Sequence, residues 1–471
     1  MAKQKNPLLE DITVSSKSKK ARAVPDAATG KTFAYVKESD VDDLNKAVKK
    51  ARRAQVAWAE LSHAQRSAIL NKAADEVEAH AEQLARIIAQ EQGKPLSGMG
   101  ARFEAMGCAV WIRTAANTPL EPEVVFEDGE SRSEVHYVPL GVVGAISPWN
   151  WPALIAIWQI APALRMGNTV VAKPSEYTPL SVLAVIELMN RHLPKDVLIG
   201  ISGGREVGAA LSGHKHIAKL MFTGSTRTGR EIVKASANNL ARLTLELGGN
   251  DPGIVLPGAD VKAIAPGIFG GAFINTGQTC AALKRLYVHE SVHDDLVKEL
   301  KKLAENAVVG PGLDEDSEFG PLTTKQQFEI VSRLVKDAKK RGAKIVTGGK
   351  PLPALGPNFF QVTLVSNIKD GAPLVDEEQF GPVLPIIKYR DVEDVIERAN
   401  DSDQALGASV WGDKERALKV AQRIESGTVW INQHGSLNPM VPFGGVKASG
   451  YGQEFGVVGL KSVAAPKVIT V

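Results

Sequence analysis

From Gly141 onward the sequence alternates between short apolar runs and longer segments of helical period, and this limits the fold more than any other feature. Gly141–Ile146, Thr169–Lys173, Val197–Ser202 and Ile217–Phe222 read as strands buried on both faces. Ala153–Arg165, Leu180–Arg191, Val207–Ser212 and Arg227–Asn238 lie between or after them with helical spacing. Such alternation predicts a parallel, doubly wound α/β sheet. A second series starts after Asn250, with strand Gly253–Val255, helix Val261–Asn275 and strand Arg285–His289. Helices Asp294–Asn306 and Thr324–Lys340 follow, then short strands through Pro385–Tyr389. Helix Val392–Asn400, strand Ala408–Trp411, helix Glu415–Ile424 and strand Thr428–Asn432 complete it.

Ahead of the alternation, Asp40 is placed to cap a helix through Val41, Leu44, Val48 and Ala51. Ser62 and Gln65 form a capping box for a long Ala-rich helical region. That region breaks near His80 and stops at Gly93-Lys94-Pro95. Residues 100–118 read as a helix with Cys108 on its apolar face, a structural position. Val124–Phe126 and Glu134–Val138 form a hairpin about Asp128-Gly129. Met1–Val24 is polar and Lys-rich, fits no targeting signal, and is expected to be a mobile arm.

Composition excludes several functions. The net charge of +3 is too small to argue for nucleic acid or an anionic membrane. Val138–Leu164 lacks charge, but Pro139, Pro148, Asn150, Pro152, Gln159 and Pro162 interrupt it, so it is not expected to span a bilayer. Two cysteines cannot build a disulfide framework, and a reducing, cytoplasmic compartment fits best.

Cys280 closes the Gly/Thr/Gln-rich run Phe273–Cys280, and Ala281–Lys284 behind it reads as a helix start. A thiol at a helix N-terminus is biased toward thiolate; the plain alternative is a buried, inert cysteine. Glu246 stands in an apolar, strand-like segment before Gly248-Gly249, where burial would raise its pKa toward that of a useful base. It could equally be a carboxylate paired with a lysine. Asn150, between Trp149 and Trp151, is either an amide donor or a turn residue. Thiol, carboxylate and carboxamide make a nucleophile, a base and an oxyanion donor. Gly224–Gly229 follows an apolar strand and opens a helix, a setting that suits a phosphate, although Thr226 replaces the middle glycine of the usual fingerprint. Lys173-Pro174-Ser175-Glu176 ends another strand and could hold ribose hydroxyls. His289-Glu290-Ser291-Val292-His293 spells a zinc motif, but the first histidine closes a strand and Ser291 with Asp294 looks like the cap of the next helix. No metal site is expected.

The runs PWNWP, KPSE, FTGSTRTG, LELGGN, GQTC, EEQFGPV and PFGGVKASGYG keep the order and spacing of the aldehyde dehydrogenase superfamily, which the chain resembles from about Pro25 to its C-terminus. The resemblance implies two Rossmann-like domains and an oligomerisation element. Residues 1–118 and 138–248 would bind NAD, residues 249–455 would form the catalytic domain, and residues 119–137 and 456–471 would join a homodimer or homotetramer. It makes Cys280 the nucleophile, Glu246 the activator of the deacylating water, and Asn150 the oxyanion donor together with the Cys280 N–H. Cofactor contacts fall on Ile146, Ser147, Pro148, Trp149, Lys173, Ser175, Glu176, Gly204, Gly224, Ser225, Gly229, Leu247, Glu378 and Phe380. Substrate entry falls on Trp151, Ile155, Trp158, Ile274, Thr279 and Leu437, which carry no charge and favour apolar or aromatic aldehydes. Glu176, near a ribose 2′ position, favours NAD over NADP. Gln453 departs from the arginine that many members carry. The product would be the free acid; the rival readings are a CoA-acylating semialdehyde dehydrogenase, a Cys-dependent hydrolase and a non-catalytic protein on the same fold.

Overall fold

The computed structural model describes residues 6–471. One sheet has six strands in the order Gly450–Tyr451, Arg242–Glu246, Lys219–Thr223, Val142–Ile146, Thr169–Lys173 and Leu198–Gly200. Its pairs are parallel except at the short Gly450–Tyr451 edge. A second sheet has seven strands in the order Lys344–Thr347, Thr363–Ser366, Val383–Tyr389, Leu283–His289, Asp251–Val255, Gly407–Trp411 and Thr428–Ile431. Only its Lys344–Thr347 edge runs antiparallel. The doubly wound α/β expectation therefore holds. Val142–Ile146 and Thr169–Lys173 are buried along their whole length, the physical reason they read as unbroken apolar runs.

Register sets up a ligand edge. Ile146 pairs with Lys173 and with Phe222, and Thr223 pairs with Glu246, so four strands end level. The loops after them gather at the carboxyl edge, where open α/β sheets take ligands. From Glu246 the chain needs only Leu247–Asn250 to enter the second sheet at Asp251.

The helix signals before Gly141 are local and were readable. Asp40 and Asp43 form a reciprocal capping box on Val41–Glu60, and Ser62 and Gln65 do so on His63–Ala79. The break falls at His80, before Ala81–Glu91. Cys108 is buried in helix Ala101–Asn117. The hairpin strands Glu123–Glu127 and Arg132–Pro139 join Ala464–Thr470 in a three-stranded antiparallel sheet. No helix among the described residues is long and apolar enough to cross a membrane.

Four expectations need correction. Residues 6–24 are not a free arm: Asn6 caps helix Pro7–Ile12, and Ala21–Pro25 pairs antiparallel with Thr32–Lys37. The first five residues of that arm lie outside the described ones. Helix Val261–Phe273 stops short of Asn275, because Asn275 and Thr276 take left-handed backbone at φ 52° and 58°. Cys280 is not followed by a helix; two turn residues lead straight into strand Leu283–His289. Finally, helix Glu290–Asn306 starts before Ser291, with the His289 side chain accepting the Ser291 N–H as the cap. The His289 Nε2 lies 3.1 Å from the Arg390 carbonyl, while His293 turns to Asp294, so the two rings face different partners.

Candidate active site

Cys280 sits on a turn folded against the Pro148–Pro152 loop. The Asn150 amide donates to the Gln278 carbonyl at 3.0 Å, and Asn275 returns a bond to the Asn150 carbonyl at 2.8 Å. The left-handed pair Asn275–Thr276 makes this exchange possible by reversing the chain after the helix. Trp151 Nε1 donates to Thr279 Oγ1 at 2.9 Å, one residue before the thiol. Trp151 is held from behind: Lys94 Nζ lies 3.4 Å from the centre of its ring and is bound to Glu104. The other Glu104 oxygen accepts the N–H groups of Ala153 and Leu154, capping helix Pro152–Arg165.

A cavity of 740 Å³ opens above Cys280. All six residues expected at the substrate entry, Trp151, Ile155, Trp158, Ile274, Thr279 and Leu437, line it together with Cys280. Phe103 and Trp111 complete an aromatic wall that motif reading missed. They stand eight residues apart on one helix, two turns, so the helical period of residues 100–118 was the available signal.

Glu246 ends its strand 3% exposed, and neither carboxyl oxygen finds a hydrogen-bond partner among the described residues. It is not paired with a lysine. Burial pushes its pKa well up, and the neighbouring carboxylate of Glu454 adds to that. Glu454 is itself buried and raised to about 8 by desolvation. Neighbouring like carboxyls oppose each other's ionisation, so the pair gives up its protons at higher pH than free carboxyls would. Glu454 was missed because nothing local marks it; it reaches the site by pairing with Phe443 in the C-terminal loop. Gln453 beside it lies against Gly444 of the same loop. Burial also pushes the Cys280 thiol up to about 12, with Lys284 opposing and Glu246, Glu378 and Asp251 reinforcing the rise. The thiolate bias expected from a helix dipole is therefore absent.

The expected cofactor residues gather along the carboxyl edge. Ile146 leads into Ser147, Pro148 and Trp149, and the Trp149 ring meets Phe380 edge-on at 5.3 Å. Ser225 caps helix Thr226–Ser236 after Gly224, and Gly229 packs so tightly on Leu247 that a Cβ would come within 2.7 Å of it. Glu378 accepts the Gly249 N–H at 3.2 Å. At the other end, Lys173 Nζ is bonded to the Pro174 carbonyl, beside Ser175 and Glu176. Arg22 also arrives there, bound to the Glu176 carbonyl and to Glu38, with a buried Nη2 that has no partner among the described residues. At Gly204 a Cβ would meet only Glu38, at 3.8 Å. An orphaned donor and an open glycine at the ends of parallel strands fit a dinucleotide.

The sequence model described as the aldehyde dehydrogenase family matches residues 13–469. The chain belongs to the aldehyde dehydrogenase family. It is 39% identical to a phenylacetaldehyde dehydrogenase of Pseudomonas fluorescens, over 97% of this chain and 94% of that one. An aldehyde dehydrogenase structure from Bacillus cereus superposes with a TM-score of 0.93 at 36% identity, covering 97% and 94% of the two chains. A structure of an NADP dependent enzyme from E. coli gives 0.93 at 35% identity, covering 96% and 94%. This aldehyde dehydrogenase is thus an NAD(P)-dependent oxidoreductase.

Proposed function

We propose that the enzyme oxidises apolar or aromatic aldehydes to free carboxylic acids through a thioester on Cys280, hydrolysed by water that Glu246 activates. The observation that carries this is one cavity with an aromatic wall, a thiol at its floor, and a buried carboxyl whose charge reaches that thiol. The Cys280 sulfur adds to the aldehyde carbon, and the oxygen takes up the negative charge. The Asn150 amide, now spent on the Gln278 carbonyl, has a second N–H to offer, and the Cys280 N–H is the other donor. The residues along the carboxyl edge would hold a nicotinamide cofactor, which would supply the hydride acceptor needed to turn the Cys280 adduct into a thioester. Glu246 then takes a proton from water, the water oxygen bonds to the thioester carbon, and the C–S bond breaks to release the acid and the thiolate. Desolvation supports Glu246 in this role, since a raised pKa makes its carboxylate a stronger base.

A carboxyl at position 246 favours water over CoA as the acyl acceptor. An apolar lining favours substrates without a second charge, which would lose its solvation there. The phenylacetaldehyde dehydrogenase relative accords with that class. For the cofactor, Glu176 favours NAD, although Arg22, held by Glu38 and the Glu176 carbonyl, keeps its Nη2 free for the dinucleotide. The six-stranded unit would bind the dinucleotide, the seven-stranded unit would carry the thiol, and the three-stranded sheet would join a homodimer or homotetramer in the cytoplasm.

Glu246→Gln tests the chemistry. With phenylacetaldehyde it should release one equivalent of NADH in a burst and then stall. Unchanged turnover would remove Glu246 from the reaction; loss of the burst as well would assign it to activating Cys280. On the wild type, a higher kcat/KM for succinic semialdehyde than for benzaldehyde or hexanal would overturn the substrate class.

A further inference from the structure

Directly behind the nucleophile stands a lysine with no role in the chemistry above. Lys284 points back from strand Leu283–His289, its side chain 3% exposed. Its Nζ donates to the backbone carbonyl of Cys280 and lies 3.3 Å from Glu378 Oε1. The Phe380 ring covers it at 5.9 Å. The fit leaves little slack: a Cβ at Gly249 would lie 2.6 Å from the Cys280 carbonyl oxygen, and one at Gly248 would lie 2.6 Å from Glu378. Ammonium, Cys280 carbonyl and Glu378 carboxylate form one locked unit.

We propose that Lys284 is a positioning residue for Cys280: its ammonium pins the nucleophile's carbonyl and supplies the positive field in which the half-buried thiol ionises. The surroundings give it that part. Glu246 faces the thiol from the end of the first sheet, Asp251 from the strand beside Leu283–His289 in the second, and Glu378 from the loop before strand Val383–Tyr389. All three oppose a thiolate. His434, in the loop after strand Thr428–Ile431, is held down to about 3 by burial and by Lys284, and stays neutral. Glu454 reaches Glu246 rather than the sulfur. Lys284 is the cation in this group, and its charge lowers the thiol pKa against the burial. Truncating it leaves a half-buried thiol among three carboxyls, where ionisation is costly. The inference concerns ionisation of Cys280 and rests on the proposed function only in calling that thiol the nucleophile.

The test uses iodoacetamide on the cofactor-free enzyme, with modification at Cys280 located by mass spectrometry. The thiolate sulfur displaces iodide, so the rate follows the thiolate fraction. Lys284→Met keeps the apolar stem and removes the charge. It should slow alkylation at pH 8 about tenfold or more, one pKa unit being tenfold in thiolate below the pKa. Lys284→Arg should recover most of that rate. Glu378→Gln removes the anion that shares the ammonium's field and should alkylate faster than wild type; it carries the test if the Lys284 variants do not fold. A wild-type alkylation profile for folded Lys284→Met, or slower alkylation of Glu378→Gln, overturns the proposal. Failure of the Glu246→Gln burst with the alkylation results intact would count against the dehydrogenase mechanism and leave the role of Lys284 standing.

Discussion

At the level of single residues, the site is governed by charges that burial makes expensive. Glu246 must be ionised to take a proton, and its raised pKa moves that condition to the alkaline side of the usual carboxylate range. The sign follows: deacylation rises with pH as Glu246 loses its proton. Glu454→Gln removes the neighbouring anion, so Glu246 ionises at lower pH and the acidic limb of the kcat profile moves down. Burial, the larger cause, stays, so the limb should stop short of the ordinary carboxylate value; a limb that stays in place or moves up contradicts the coupling. At the ribose end, like charges about 4 Å apart repel by about 4 kcal/mol at an effective dielectric of 20. Solvent, Lys173 and Arg22 reduce this, yet about 1.4 kcal/mol still gives a tenfold preference. The expected result is kcat/KM at least tenfold higher with NAD than with NADP, narrowing in Glu176→Gln. Parity in the wild type rejects the charge argument.

At the level of elements, helix Pro152–Arg165 joins the two halves of the site. Its N-terminus lies just beyond Asn150 and carries Trp151, Ile155 and Trp158 to the cavity. The buried Glu104 satisfies two of its free N–H groups while Lys94 balances the charge under Trp151. Breaking such a pair on one side leaves an uncompensated buried charge and costs about 3–5 kcal/mol. Lys94→Met should therefore lower the urea midpoint clearly. Lys94→Met combined with Glu104→Gln should cost less than the lysine change alone, because no ion is left stranded. A single variant as stable as wild type would show that the pair carries no such weight.

For the whole molecule, the three-stranded sheet leaves apolar side chains uncovered by its own chain. Val124, Val125, Phe126 and Val468 are all exposed there, with Val468 at 62%. A patch of this kind calls for a partner surface, and a second copy of the chain is the expected one. Val468→Glu combined with Phe126→Glu should shift the mass measured by light scattering toward the monomer. A wild-type mass that is already monomeric would reject the oligomer.

Most of the architecture was legible in the residue order, since strand runs, helix periods and caps depend on neighbours a few positions away. Asp40, Ser62 and the break at His80 were readable for that reason, whereas the expectation that Asn150, Glu246 and Cys280 share one site came from the resemblance of their motifs to the family's. The misread helix after Cys280 shows the limit of local pattern: Ala281–Lys284 has good helix formers, but the pull of the parallel sheet on Leu283–His289 prevails. The N-terminal segment was misjudged similarly, because its order comes from pairing with Thr32–Lys37 and not from its own polar composition. Only the tertiary structure decided which charges meet: Glu454 beside Glu246, Arg22 beside Glu176, Lys94 beneath Trp151, and Lys284 behind Cys280. Periodicity records what the backbone prefers locally. The cost of a buried charge is set by whatever distant segment packs against it, and that partner exists only once the chain has folded.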